Sequence, residues 1–195
     1  MANTMAQLLK QTGPAVLITH SNSGKYGWDS GIADPQNIKA IVAYEPGVCV
    51  FPSDDIPKDL TPSPLELVND HQGPLVVPPE EFNRLTKMPI LIIDGDNIAK
   101  EKSTNFNSEV WRVASHRAKQ MVERINARGG DARLLILPEA GIRGNTHAPF
   151  ADLNNLEIAK ILEDFLHEKG LDGRENPHQG PQPKGLKEYT IPLAQ

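Results

Sequence analysis

Four short runs of consecutive apolar residues limit the folds open to this chain. They fall at residues 15–19, 37–44, 88–94 and 133–137. Each is of strand length, and within each the apolar residues follow one another instead of alternating with polar ones. Such runs arise where both faces of a parallel sheet are covered. Helix-compatible segments lie between the runs at 23–33, 80–87 and 108–128, and another follows the fourth run at 152–169. Strand, connector and helix in this order predict an α/β fold, a mostly parallel sheet flanked by helices.

The helices show a matching period. Trp111, Ala114, Ala118, Met121, Val122 and Ile125 form an apolar stripe that ends at Gly129-Gly130. In the last helix Leu156, Ala159, Leu162, Phe165 and Leu166 are expected to face inward, with Gly170 as the stop. Residues 3–12 read as a short helix closed by Gly13-Pro14. Residues 46–80 differ, being rich in proline and carrying Asp54, Asp55, Asp59 and Asp70. A long irregular stretch inside a compact domain suggests a cap or lid, placed at about 48–80, with a helical turn or two in 63–70. From residue 170 to 195 the chain is a polar tail in which only Tyr189–Leu193 is expected to pack. The length of 195 residues suits one domain.

Several function classes fit poorly. A net charge of −5 supplies no basic footprint for nucleic acid. No apolar run reaches the ~20 residues needed to cross a bilayer, so no membrane span is expected. The first dozen residues show no export signal. The single cysteine, Cys49, leaves no intramolecular disulfide and reads as a small buried residue. No metal-ligand spacing of His or Cys occurs, and neither G-x-G-x-x-G nor a P-loop follows a strand, so neither metal nor cofactor is expected.

The end of the first run carries the chemistry. Residues 15–24, Ala-Val-Leu-Ile-Thr-His-Ser-Asn-Ser-Gly, pass from apolar strand to small polar residues just before a helix. That is the layout of a nucleophile elbow, which lifts a serine hydroxyl above the sheet edge. The turn requires small residues two positions before and after the nucleophile. Ser21 has Thr19 and Ser23 there; Ser23 has Ser21 and Lys25, and the lysine would crowd it. Ser21 is therefore favoured, with the backbone N–H of Asn22 as an oxyanion donor. Neither flanking position is glycine, a departure from G-x-S-x-G. Tyr26 and Trp28 follow closely, either lining an acyl pocket or packing beneath the helix.

A serine nucleophile needs a base, and the base needs an acid that fixes its tautomer. In an open parallel sheet these lie on loops at the carboxyl ends of strands. His116 and His167 fall within helices, His178 in the tail, His71 in the lid, and His20 beside the serine with its ring expected to point elsewhere. His147 alone lies between the last strand and the last helix. Two strand ends offer an acid: Glu45 after the second, and Asp94 or Asp96 after the third.

Taken in order, THSNSG at 19–24, AIVAYEPG at 40–47, PILIIDGDNI at 89–98 and GIRGNTHAPFADLNN at 141–155 resemble the C-terminal portion of an α/β-hydrolase. The similarity is to bacterial-type carboxylic-ester hydrolases whose triad acid is a glutamate after strand six. The resemblance implies Ser21, Glu45 and His147 as nucleophile, acid and base. It leaves Asp96 as the alternative acid, at the position most α/β-hydrolases use. It also implies a partial fold without the N-terminal strands and without the loop that gives a second oxyanion donor. The serine strand would then be an apolar edge, to be completed by an upstream segment or a second copy. The function expected is hydrolysis of a small-molecule ester through an acyl-enzyme. The alternative is a silent or weakly active fragment that acts by association.

Overall fold

The computed structural model describes residues 2–57 and 63–173. Helix α1 (Ala2–Thr12) leads into strand β1 (Ala15–His20), a 3-10 turn at Ser21–Ser23 and helix α2 (Gly24–Ala33). Strand β2 (Ile38–Tyr44) is followed by β3 (Val50–Pro52), α3 (Glu66–His71), β4 (Leu75–Val77) and α4 (Pro79–Phe82). Then come β5 (Ile90–Asp94), the long helix α5 (Phe106–Ala127), β6 (Ala132–Ile136) and α6 (Asn155–Glu168). The main sheet has the order β1-β2-β5-β6, with every pairing parallel. The fold is the α/β arrangement expected, a parallel sheet flanked by helices.

The consecutive apolar runs now have a physical account. Successive strand residues point to opposite faces, so each run serves two cores. Ile41 and Ala43 of β2 and Ile90 and Ile92 of β5 pack with Leu9, Trp28, Met121 and Ile125 from α1, α2 and α5. Their neighbours Ala40, Val42, Tyr44, Leu91 and Ile93 pack with Ile158 and Phe165 of α6. Each fully buried side chain of this size contributes about 1.5–3 kcal/mol. At the β1 edge the pattern fails: Ile18 remains 56% exposed.

Residues 48–80 are anchored to the body at several points. Strands β3 and β4 form a parallel pair of their own, while Cys49, Val50 and Phe51 enter the main core. Val68 of α3 packs on Val110 and Val113 of α5. Asp55 pairs with Arg124 of α5, and both Asp54 and Asp55 pair with Arg128 just after that helix. The segment expected as one helix at 80–87 divides into α4 and a 3-10 turn at Asn83–Lys87.

The expected inner face of α6 needs correction. Leu156 is 83% exposed and Ala159 also faces solvent. The true stripe runs Ile158, Ile161, Leu162, Phe165 and Leu166, which keeps helical spacing from a start at Asn155. At about 100° per residue Leu156 points about 160° away from Ile158, so the two cannot share the inner face. The tail expectation for Tyr189–Leu193, and His178, lie outside the described residues. Among the described helices none is long and apolar enough to cross a membrane.

One close approach locks the first crossover. A Cβ added at Gly24, the first residue of α2, would lie 2.6 Å from the Pro46 Cβ. Backbone from two turns meets there, with no room for a side chain. Gly24→Ala is expected to lower unfolding stability by about 1–3 kcal/mol, measured as a lower urea midpoint at unchanged m-value.

Candidate active site

The turn after β1 is tight and strained. Ser21 sits at φ +55°, a left-handed conformation that a non-glycine residue adopts at a cost of about 1–3 kcal/mol. The next turn hydrogen-bonds to it directly, because the Gly47 N–H donates to the Ser21 carbonyl at 3.0 Å. Ser23 has a structural task. Its hydroxyl accepts from the His20 N–H at 2.8 Å and donates to the His20 carbonyl at 2.7 Å. Its one proton is thus in use. The half-buried Ser21 hydroxyl makes no hydrogen bond among the described residues.

Glu45 ends β2 at φ +40°, a second strained residue at a strand's carboxyl end. It is only 3% exposed, yet both carboxylate oxygens have partners. Oε1 accepts the Gly95 N–H at 2.8 Å, and Oε2 lies 2.5 Å from His147 Nδ1. Gly95 makes this possible by lacking a side chain. A Cβ there would fall 2.6 Å from Oε1 and 2.8 Å from the Thr146 carbonyl.

The loop that carries His147 is held by its own polar network. The buried Asn145 bonds to Asn154, and the Thr146 N–H and hydroxyl both donate to Asp152. Asp96 belongs to this network. Its carboxylate accepts the Gly144 N–H at 2.9 Å and lies 3.6 Å from Arg143. The structure therefore joins Glu45 to His147 and sets Asp96 to anchoring the loop. Asn22 lies in the 3-10 turn directly after Ser21.

Two rings beside His147 fall outside the sequence-derived site. His20 was expected to point elsewhere; instead its Nε2 lies 2.8 Å from the His147 carbonyl, with ring centroids 4.5 Å apart. The parity of β1 carried this signal: His20 shares a face with Val16, which packs on the α6 side, and the His147 loop leads into α6. Trp111, assigned from spacing to the α5 stripe, places its ring 4.0 Å from that of His147. It lies near the start of α5, beside the cluster that Val110 and Val113 form with Val68 of α3. Trp28 packs beneath α2, donating its indole N–H to the Val48 carbonyl at 2.8 Å, and Tyr26 is exposed.

Asp94 is not bonded to the histidine. Burial pushes its carboxyl up to about 7, against the Ser115 hydroxyl that donates to it at 2.5 Å, and the nearby Glu45 charge pushes the same way. Burial likewise pushes the Cys49 thiol far above its ordinary value, which leaves it unreactive. Among the described residues no cluster of three His, Cys, Asp or Glu side chains could hold a metal ion.

Comparison with known proteins fits this geometry. No family model matches the chain. A fungal protein, the probable secreted lipase phiG (Fungal sp., strain ATCC 74256), is 28% identical over 86% of this chain and 50% of its own length. The atomic-resolution structure of a novel bacterial esterase superposes with a TM-score of 0.64 at 27% identity, covering 86% of this chain and 42% of that one. The chain spans about half the length of these relatives. Both support an esterase- or lipase-type hydrolase fold.

The buried acid at Asp94 yields a pH test. Its carboxyl titrates near 3.9 when unfolded and near 7 when folded. The unfolded chain therefore releases this proton first, and stability falls as pH rises from about 4 to 7. Asp94→Asn is expected to be more stable than wild type at pH 8 by roughly 1–4 kcal/mol. The gain should vanish toward pH 4 in urea titrations.

Proposed function

We propose that this chain carries the catalytic residues of a serine hydrolase that cleaves carboxylic esters through an acyl-enzyme. Ser21 is the nucleophile, His147 the general base and then acid, and Glu45 the group that orients His147. With Nδ1–H donating to Glu45, the neutral ring holds its lone pair on Nε2, ready to take a hydroxyl proton. Attack by Ser21 Oγ on the ester carbonyl forms the new C–O bond. The protonated His147 gives its proton to the departing alcohol, and water, activated by the same ring, hydrolyses the acyl-enzyme. The sequence reaches neither metal nor cofactor at any step.

The Asn22 N–H is the proposed oxyanion donor. At the start of a 3-10 turn such a group has no helical partner of its own. Loss of one oxyanion donor costs about 10²–10³ in rate in other serine hydrolases.

One observation carries this reading: a buried glutamate meets a loop histidine 102 positions away at 2.5 Å, at the sheet end where a serine is held at positive φ. The missing Ser21–His147 hydrogen bond fits a ligand-free site, where catalytic contacts are often long and tighten when substrate binds. The likeness to a lipase and an esterase points to the same chemistry.

Fluorophosphonate labelling tests the nucleophile. Wild type should label and Ser21→Ala should not, with ester turnover falling by at least about 10³; equal labelling would sink the assignment. For the acid, Glu45→Gln should cost about 10²–10⁴ in kcat, and Asp96→Asn clearly less. The reverse order would make Asp96 the acid.

A second reading, a silent fragment that acts by association with an upstream segment, a second copy or another partner, is favoured by the edge position of β1 and its exposed Ile18. A heteromer without turnover would support it. A monodisperse monomer with Ser21-dependent turnover would remove it.

A further inference from the structure

A cavity of about 420 Å³ opens beside the histidine, walled by Glu45, Asn97, Asn107, Ser108, Trp111 and His147. Its chemistry is one-sided, with no lysine or arginine among these walls. Both oxygens of the Glu45 carboxylate are already bonded. Among the described residues no hydrogen bond occupies the Asn97 or Asn107 carboxamide or the Trp111 indole N–H. The Ser108 hydroxyl is held only by a 3.3 Å contact to Asn105 Oδ1. Each carboxamide offers two donors and an acceptor, all neutral. The Trp111 ring stands beside them as a flat apolar plate.

These features exclude two kinds of occupant. An anionic group would approach the Glu45 carboxylate with no lysine or arginine in the walls to offset the repulsion. A long alkyl chain would lie against two solvent-facing carboxamides and return no hydrogen bond to them. A neutral group with several hydroxyls satisfies both conditions: its C–H face lies on the indole, and its hydroxyls exchange hydrogen bonds with Asn97, Asn107 and Ser108.

The cavity also lies on one side of the reaction. His147 is a wall and Ser21 is not. In ester cleavage His147 passes its proton to the oxygen of the departing alcohol, and Gly47 lies between the Ser21 backbone and the Trp111 ring, so the cavity walled by His147 and Trp111 is within reach of that alcohol. We propose that the alcohol half of the substrate is a neutral, hydroxyl-rich group, a polyol or glycosyl unit, held by Trp111, Asn97 and Asn107. This inference rests on the esterase reading above.

Two esters that differ only in hydroxyls provide the test: glycerol 1-monobutyrate and n-propyl butyrate. Neutral hydrogen bonds to two added hydroxyls should raise kcat/KM for the glyceryl ester about tenfold. Asn107→Leu, at an exposed position on α5, should bring that ratio below about threefold. Equal kcat/KM for the two esters, or a ratio that Asn107→Leu leaves unchanged, would overturn the proposal. The same esters titrated into Ser21→Ala protein, read by tryptophan fluorescence, give a measure free of turnover. A saturable change with the glyceryl ester alone, lost in Trp111→Phe, is expected; no change, or an equal response to both, overturns it. Failure of fluorophosphonate to label Ser21 would strike the esterase reading, while the titration still decides what the cavity binds.

Discussion

A carboxylate that leaves water must find donors for its oxygens, because an unpaired buried charge is too costly for a protein of ordinary stability. Glu45 meets that demand with a backbone N–H from Gly95 and a ring nitrogen from His147. The two partners come from different parts of the chain, one after β5 and one in the loop before α6. Satisfying one side chain therefore draws three segments to a single point. Gly95 cannot carry a side chain there, and the His147 loop has to be held by its own polar contacts to Asp96 and Asp152.

The serine turn is braced against the same point. Ser21 and Glu45 both occupy the left-handed region, and each would relax if its surroundings allowed. They are kept there by each other's turns, since Gly47 bonds to the Ser21 carbonyl and Gly24 lies against Pro46. Strain at two adjacent strand ends is sustained by the packing beneath them. The central strands β2 and β5 bury side chains on both faces and give the turns a rigid base.

Much of this was legible in the residues. The four strands were, because consecutive apolar residues mark strands that pack on both faces, fully so in the central β2 and β5 and only partly in the edge strands β1 and β6. Ser21 was favoured over Ser23 by the crowding that Lys25 would cause, and the structure adds a second reason in the occupied Ser23 hydroxyl. The inner face of α6 was misread at its first turn: Leu156 lies on the opposite side of the helix from Ile158, and the set Ile158, Ile161, Leu162, Phe165 and Leu166 is the one that keeps to a single face. His20 and Trp111 were missed because both obey the periodicity of their own elements, while the partner that each meets, His147, comes from a distant loop.

The sequence by itself determined the four strands of the main sheet, their parallel arrangement, the long helix α5 and a short set of polar residues at strand ends. These follow from local spacing, which reports how each residue faces its immediate surroundings. The choice of partners was decided only by the tertiary structure. Glu45 and Asp96 both stand at strand ends within reach of the His147 loop, and nothing local distinguishes them. Burial does: Glu45 lies where its charge needs the histidine, while Asp96 remains at the surface among the backbone N–H groups of the loop it anchors. The placement of His20 and Trp111 beside His147 was decided in the same way, by contacts between elements far apart in the chain.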